Sequence, residues 1–142
     1  MSTAYGTRRT VREGFTFIEL VIAIAILGIL ALIVAPKMFN YLREAEEETT
    51  KTNLKVVRTE IDNYIRKVGQ PPQTLRDLVR RPADMTDRQW RGPYLEGEEI
   101  PKDGQGHDLV YVSLAGNHPP YKLYSWGKNG PDSPSEEWIY PS

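Results

Sequence analysis

The chain has 142 residues, with 18 lysines and arginines against 19 aspartates and glutamates, and no cysteine. That length allows one small domain and an anchor, and the lack of thiols excludes disulfides, cysteine-zinc sites and cysteine nucleophiles. Arg8, Arg9 and Arg12 against Glu13 make the first fourteen residues net positive, so the remainder holds 15 basic and 18 acidic groups and has no basic excess to draw nucleic acid.

The opening stretch ends Arg12-Glu13-Gly14, and an apolar run follows at once, Phe15-Thr16-Phe17-Ile18-Glu19 and then Leu20 through Ala35 without a charge. As one helix, residues 15–39 would extend roughly 37 Å, enough to cross a hydrocarbon core of about 30 Å. A cleavable secretory signal would place small residues and a cut beyond a shorter apolar core. Here the apolar character continues past Gly28, Ala31 and Ala35 into a further helical pattern. A plain single-pass anchor accounts for the run but not for Glu19, since a carboxylate within the bilayer is costly. The arginines before the run agree with a cytoplasmic N-terminus.

Gly14-Phe15-Thr16-Phe17-Ile18-Glu19 resembles the signal of type IV pilins and pseudopilins. The resemblance implies cleavage by a prepilin peptidase after Gly14, N-methylation of the new terminal Phe15, and an assembly role for Glu19 as the fifth mature residue. In that role the carboxylate neutralises the terminal amine of a neighbouring subunit. Read on its own, Glu19 would also favour its own helix N-terminus through the dipole, and both readings stand. Pro36 removes the amide that would bond Leu32, and Gly28 weakens the same helical segment. The family carries a proline at this mature position, so Gly28 to Pro36 is expected to be the compliant part of the anchor during assembly.

The helical pattern continues to Val68, with Gly69-Gln70-Pro71-Pro72 as its stop. Leu42, Ala45, Thr49, Asn53, Val56, Val57, Ile61, Tyr64 and Val68 are predicted to form its buried face. Glu47 and Lys51 have the favourable acid-first spacing. The acidic stretch Glu46–Glu48 is either a solvated face or a partner for basic residues of another subunit.

Beyond residue 73, Thr74–Val79 predicts a short helix with Thr74 as its cap. Strands are predicted at Leu109–Leu114 and Tyr121–Trp126, with a weaker one near Trp138–Tyr140. In this region the resemblance narrows to the major pseudopilin family of type II secretion. It rests on Gly92-Pro93-Tyr94-Leu95, Ile100-Pro101-Lys102-Asp103 and Tyr121-Lys122-Leu123-Tyr124-Ser125-Trp126-Gly127. Residues 104–108, Gly-Gln-Gly-His-Asp, depart from that family's Pro-Trp-Gly stretch.

The segment from Trp126 to Glu137 is rich in turns and oxygen donors, the ligand type that calcium takes six to eight of. The resemblance implies a calcium loop there, with Asn129 and the pair Glu136-Glu137 as side-chain ligands. Trp126 and Pro134 would supply carbonyls and Asp132 a further acid. The family places aspartates at these points, and read without the resemblance the segment is a solvated acidic loop. A cysteine-free small domain gains from such a staple. His107 and His118 lack the spacing of a metal pair or a nucleophile partner and read as surface residues, so no catalytic site is expected.

The expected fold is therefore α+β and type IV pilin-like, a long N-terminal helix packed on a small antiparallel sheet with a C-terminal calcium-type loop. Residues 1–14 form the leader, 15–38 the transmembrane and assembly helix, and 39–142 a periplasmic globular domain. The implied function is a homopolymeric structural subunit of the secretion pseudopilus, anchored once in the inner membrane. Its implied partners are the prepilin peptidase, the inner-membrane assembly platform and minor pseudopilins. The alternative is a major or minor pilin of a type IV pilus, serving adhesion, motility or DNA uptake. Against a major pilin stands the missing cysteine pair, which often closes a C-terminal loop in those proteins.

Overall fold

The computed structural model describes residues 14–142. The leader arginines Arg8, Arg9 and Arg12 lie outside the described residues. Helix α1 spans Phe17–Val68 and passes through Pro36. It ends where the sequence predicts. Gly69 takes a left-handed φ of +93°, and its amide donates to the Ile65 carbonyl at 2.8 Å, a glycine stop that spares any Cβ clash.

The chain divides into two compact units, the first ending at Asn40 and the second covering Tyr41–Ser142. In the first unit the described residues are one exposed helix and the three residues before it. One stretch of α1 reaches a mean hydropathy of 3.0 with none of it buried, and it is long and apolar enough to cross a membrane.

In the second unit the buried face of α1 is Thr50, Leu54, Val57, Ile61 and Tyr64. This corrects the predicted face, which holds Thr49 and Val56 and omits Thr50 and Leu54. Apart from the adjacent Val56 and Val57 of the predicted set, both stripes advance by three or four residues, so spacing alone does not separate them. Burial of the larger Leu54 decides the rotation, and Val56 is left 44% exposed. Leu42 and Ala45, also on the predicted face, are exposed.

Around that stripe gather Leu78, Trp90, Tyr94, Leu95, Leu109 and Leu123. The predicted short helix is a 3-10 turn at Leu75–Leu78. The Asp77 carboxylate holds it by accepting from the Gln73 amide at 2.8 Å and the Thr74 amide at 2.9 Å. Helix α2, Asp87–Trp90, opens on a reciprocal cap in which Gln89 Oε1 accepts from the Thr86 amide at 2.9 Å. It delivers Trp90 to the core, where the indole N–H donates to the Asp77 carbonyl at 2.6 Å. Tyr64 and Tyr94 rings meet at 5.1 Å, and burial pushes the Tyr64 hydroxyl up to about 12.

The sheet is two antiparallel strands, β1 at Val110–Ser113 and β2 at Tyr121–Tyr124, with Tyr111 opposite Leu123. Leu109, Leu123 and Ser125 are buried while Val112 and Lys122 are exposed, the period-two alternation of a sheet with one covered face. Beyond β2, Ser125 and Ile139 exchange a pair of backbone bonds, each 2.9 Å. This single bridge is what forms of the weak third strand. On the outer face Tyr124 stacks on Trp138 at 4.6 Å.

The corrected face carries a direct check. In urea denaturation of the full chain in detergent, Leu54→Ala is expected to lose about 2–5 kcal/mol. Val56→Ala should change stability by less than about 0.5 kcal/mol. The reverse ranking would restore the face predicted from sequence.

Candidate functional site

Three constellations stand out. The first is the start of α1. Thr16 precedes the first helical residue, and Glu19 Oε2 accepts from the Thr16 amide at 2.7 Å and the Thr16 hydroxyl at 2.9 Å. The Glu19 amide returns a 3.3 Å bond to the Thr16 hydroxyl oxygen. This is a capping box, satisfying donors that a helix start leaves unpaired. It turns the dipole reading of Glu19 into specific bonds and adds Thr16, for which the Thr-x-x-Glu spacing is the readable signal. Gly14 and Phe15 precede the helix, and Gly28 and Pro36 lie within it, all exposed.

The second is the loop from Trp126 to Glu137. Gly127 starts it in a left-handed conformation, φ +77°, and a Cβ there would sit 2.6 Å from the Glu137 carbonyl oxygen. Only glycine lets the two ends of the loop approach so closely. Inside it the Asn129 side-chain amide donates to Glu137 Oε2 at 3.0 Å, and the Asn129 backbone amide donates to Ser133 Oγ at 3.1 Å. Trp138 Nε1 donates to the Ser133 carbonyl at 3.1 Å. Two 3-10 turns, Gly130–Asp132 and Ser135–Glu137, shape the remainder.

Of the six candidate ligands the structure joins Asn129 and Glu137. Asp132, Pro134 and Glu136 are exposed, and the Pro134 carbonyl accepts the Glu137 amide at 2.9 Å. Trp126 is partly buried. Among the described residues no three His, Asp or Glu side chains converge as a metal-binding group. In this contact Asn129 turns its Nδ2 toward Glu137, so a hard cation would need that amide reversed to present Oδ1. A positive charge already stands beside them, with Lys128 Nζ 3.6 Å from Glu137 Oε1.

The third constellation joins Asp103 and Ser125, which lie in two of the family-like stretches but whose contact no local spacing foretells. Asp103 has a side chain with no exposed surface. Its Oδ1 accepts from the Gln105 amide at 3.1 Å and the His107 amide at 2.7 Å, and its Oδ2 accepts from the Ser125 hydroxyl at 2.8 Å. Ser125 Oγ in turn accepts from the Gly127 amide at 3.0 Å. His107, expected at the surface, is half-buried, with its Nδ1 3.4 Å from Asp103 Oδ2. Its ring would contact a Cβ placed on Gly130 at 3.5 Å.

The same turn is fastened to α1. The Gly104 amide donates to Thr50 Oγ1 at 2.9 Å, and the Thr50 hydroxyl donates to the Glu46 carbonyl at 2.8 Å. The Asn53 side-chain amide donates to the Lys102 carbonyl at 2.7 Å, and Gln105 Nε2 donates to Glu46 Oε2 at 3.1 Å. A Cβ on Gly104 would overlap the Glu46 backbone, so the close approach of the turn to α1 requires glycine at this position. Glu46 is thus engaged within its own chain, and Glu47 pairs with Lys51 at 2.6 Å.

An exposed apolar helix opening on a Gly-Phe…Glu motif, followed by a small α+β unit, defines the pilin-like class. The comparisons agree at both ends of the chain. Residues 9–35 match the prokaryotic N-terminal methylation motif, and residues 37–138 match the family described as type II secretion system (T2SS), protein G. The type II secretion system core protein G of Pseudomonas aeruginosa is 30% identical over 134 residues, 91% of this chain and 92% of that one. The core protein G of Vibrio cholerae is 29% identical over 84% of this chain and 82% of its own length. That of Escherichia coli K12 is 27% identical, covering 84% of this chain and 83% of the relative. No solved structure matches the chain. The chain belongs to the type II secretion system protein G family.

Proposed function

We propose that this protein is the repeating structural subunit of a periplasmic pseudopilus, which helps drive folded proteins through the outer membrane in type II secretion. The observation that carries the reading is α1 itself, where a membrane-length apolar stretch has no buried residue and begins on the Gly14–Glu19 motif. Such a surface is stable in lipid or against other apolar helices, and in neither case exposed to water. A subunit stored in the inner membrane and then packed beside its copies meets both conditions. The matched family and its curated relatives favour the secretion filament over a type IV pilus.

In this reading the prepilin peptidase cuts between Gly14 and Phe15 and the new terminal amine is methylated. The chain then spans the inner membrane once, with its C-terminal unit in the periplasm. Glu19 serves two purposes at successive stages. Within the subunit its Oε2 caps α1 through Thr16, which holds the carboxylate near the helix start. During assembly its charge offsets the terminal amine of an adjacent subunit, and this ion pair is strong because apolar surroundings screen it little. The inner-membrane assembly platform and minor pseudopilins receive and initiate the polymer. The protein performs no covalent chemistry of its own.

Calcium completes the C-terminal loop. Asn129 and Glu137 would hold it, with the carbonyls of Trp126 and Pro134 and the acids Asp132 and Glu136 as the remaining donors. Support comes from the oxygen-rich composition of the segment and from the nearness of Asn129 to Glu137. The ion supplies a charge that draws these oxygens together and shortens the list of conformations open to the loop.

Two experiments test these assignments. Glu19→Ala should leave the protein in the membrane fraction while chemical cross-linking loses the ladder of linked subunits that the wild type gives; a wild-type ladder from that variant would remove the assembly role. Removing calcium with a chelator should lower the melting temperature of the full chain in detergent by about 5 °C or more. Asn129→Ala should abolish that difference, and equal melting curves with and without calcium in the wild type would dismiss the ion.

A further inference from the structure

We infer that Asp103, acting through Ser125, is the positioning residue of the 126–137 loop, fixing its root to α1 before any cation arrives. The inference deepens the functional reading above, since it rests on taking that loop as the cation-binding segment.

The geometry runs in one connected path. On one side Asp103 Oδ1 closes its own turn through the amides of Gln105 and His107. On the other, Oδ2 takes the Ser125 hydroxyl, leaving the serine oxygen to accept the Gly127 amide. Gly127 is the residue whose backbone backs directly on Glu137, so the Ser125 oxygen sets where the loop begins and, through that contact, where it closes. Ser125 is fully buried, and Asp103 is nearly so. Buried polar groups left unpaired are costly, which makes this arrangement cooperative and not merely compatible. The turn is itself anchored on α1 through Gly104–Thr50, Lys102–Asn53 and Gln105–Glu46. The His107 ring stands near Gly130, 3.5 Å from where a Cβ on that residue would lie.

The consequence is pre-organisation. A loop whose root is already fixed loses less conformational freedom when a ligand orders the rest. Oδ1 serves the turn, while Oδ2 serves the loop through Ser125 and also faces His107 Nδ1 at 3.4 Å, so Ser125→Ala cuts the coupling and leaves the Oδ1 bonds of the turn in place.

The test is a double-mutant cycle read by amide hydrogen exchange on the full chain in detergent, with chelator present throughout. Ser125→Ala should speed exchange across residues 127–137 by about fivefold or more. Turn 103–107 and the β1–β2 amides should keep their wild-type rates. Asp103→Ala should speed both the turn and the loop. Because Asp103 acts on the loop through Ser125, the double variant should exchange in the loop no faster than the faster single variant. Loop rates that multiply would show two independent contacts and overturn the inference, as would a Ser125→Ala loop that exchanges like the wild type. A uniform rise over the whole second unit would also overturn it, as a general loss of stability. Should Asp103→Ala fail to fold, Asp103→Asn completes the same cycle with the same readings. Adding calcium chloride to the wild type reads the cation separately. No slowing of the loop would overturn the calcium reading and leave the outcome of the cycle standing.

Discussion

A long apolar helix exposed along its length imposes the condition on which everything else in this protein depends. Each large apolar side chain costs about 1.5–3 kcal/mol to leave in water, and α1 exposes a continuous series of them from Phe17 to Phe39. In the proposed cycle lipid covers that surface at one stage and neighbouring copies at another. The exchange is feasible because a helix satisfies its own backbone groups in either setting. What lipid does not satisfy is a charge, and Glu19 stands out for that reason. Its bonds to Thr16 keep the carboxylate partly satisfied within the subunit.

The second unit solves a different problem. It is small, it has only two strands, and it carries no cysteine to tie its loops. Its hydrophobic core is built on one stripe of α1, from Leu54 to Tyr64. Below that stripe apolar burial gives out, and polar contacts take over at Glu46, Thr50 and Asn53. These side chains receive the turn around Asp103, and that turn holds Ser125. The result is a chain of bonds from α1 to the C-terminal loop made almost wholly of single hydroxyl, amide and carboxylate groups. Every member is specific in geometry, so the loss of one partner leaves a polar group of the next unpaired.

Much of the architecture is legible in the residues. The membrane-length helix, its stop at Gly69, the two strands and their pairing all follow from apolar periodicity and turn chemistry, which are local signals. The rotation of α1 is not legible, because Val56 and Leu54 each fit a helical stripe and only the rest of the core chooses between them. Helix α2 is missing from the predicted elements although Thr86-x-x-Gln89 is a readable cap. The Asp103 hub lies beyond sequence reasoning for a physical reason. Its partner Ser125 is 22 residues away, and nothing about a lone aspartate in a Gly-rich turn announces that it will be buried. His107 departs from its expected surface position for the same cause, since its surroundings come from a distant loop. At the candidate calcium loop, residue types and spacing identify the region, and the structure brings together Asn129 and Glu137 alone among the candidate side chains.

The central claim is that a trimmed apolar helix is stored in the membrane and used for assembly. The most direct measurement is the intact mass of the chain recovered from the membrane fraction of cells that carry the full secretion machinery. The expected mass is that of a polypeptide that begins at Phe15 and bears a methyl group on its terminal nitrogen. A chain recovered from the soluble fraction with Met1 through Gly14 still attached would contradict it.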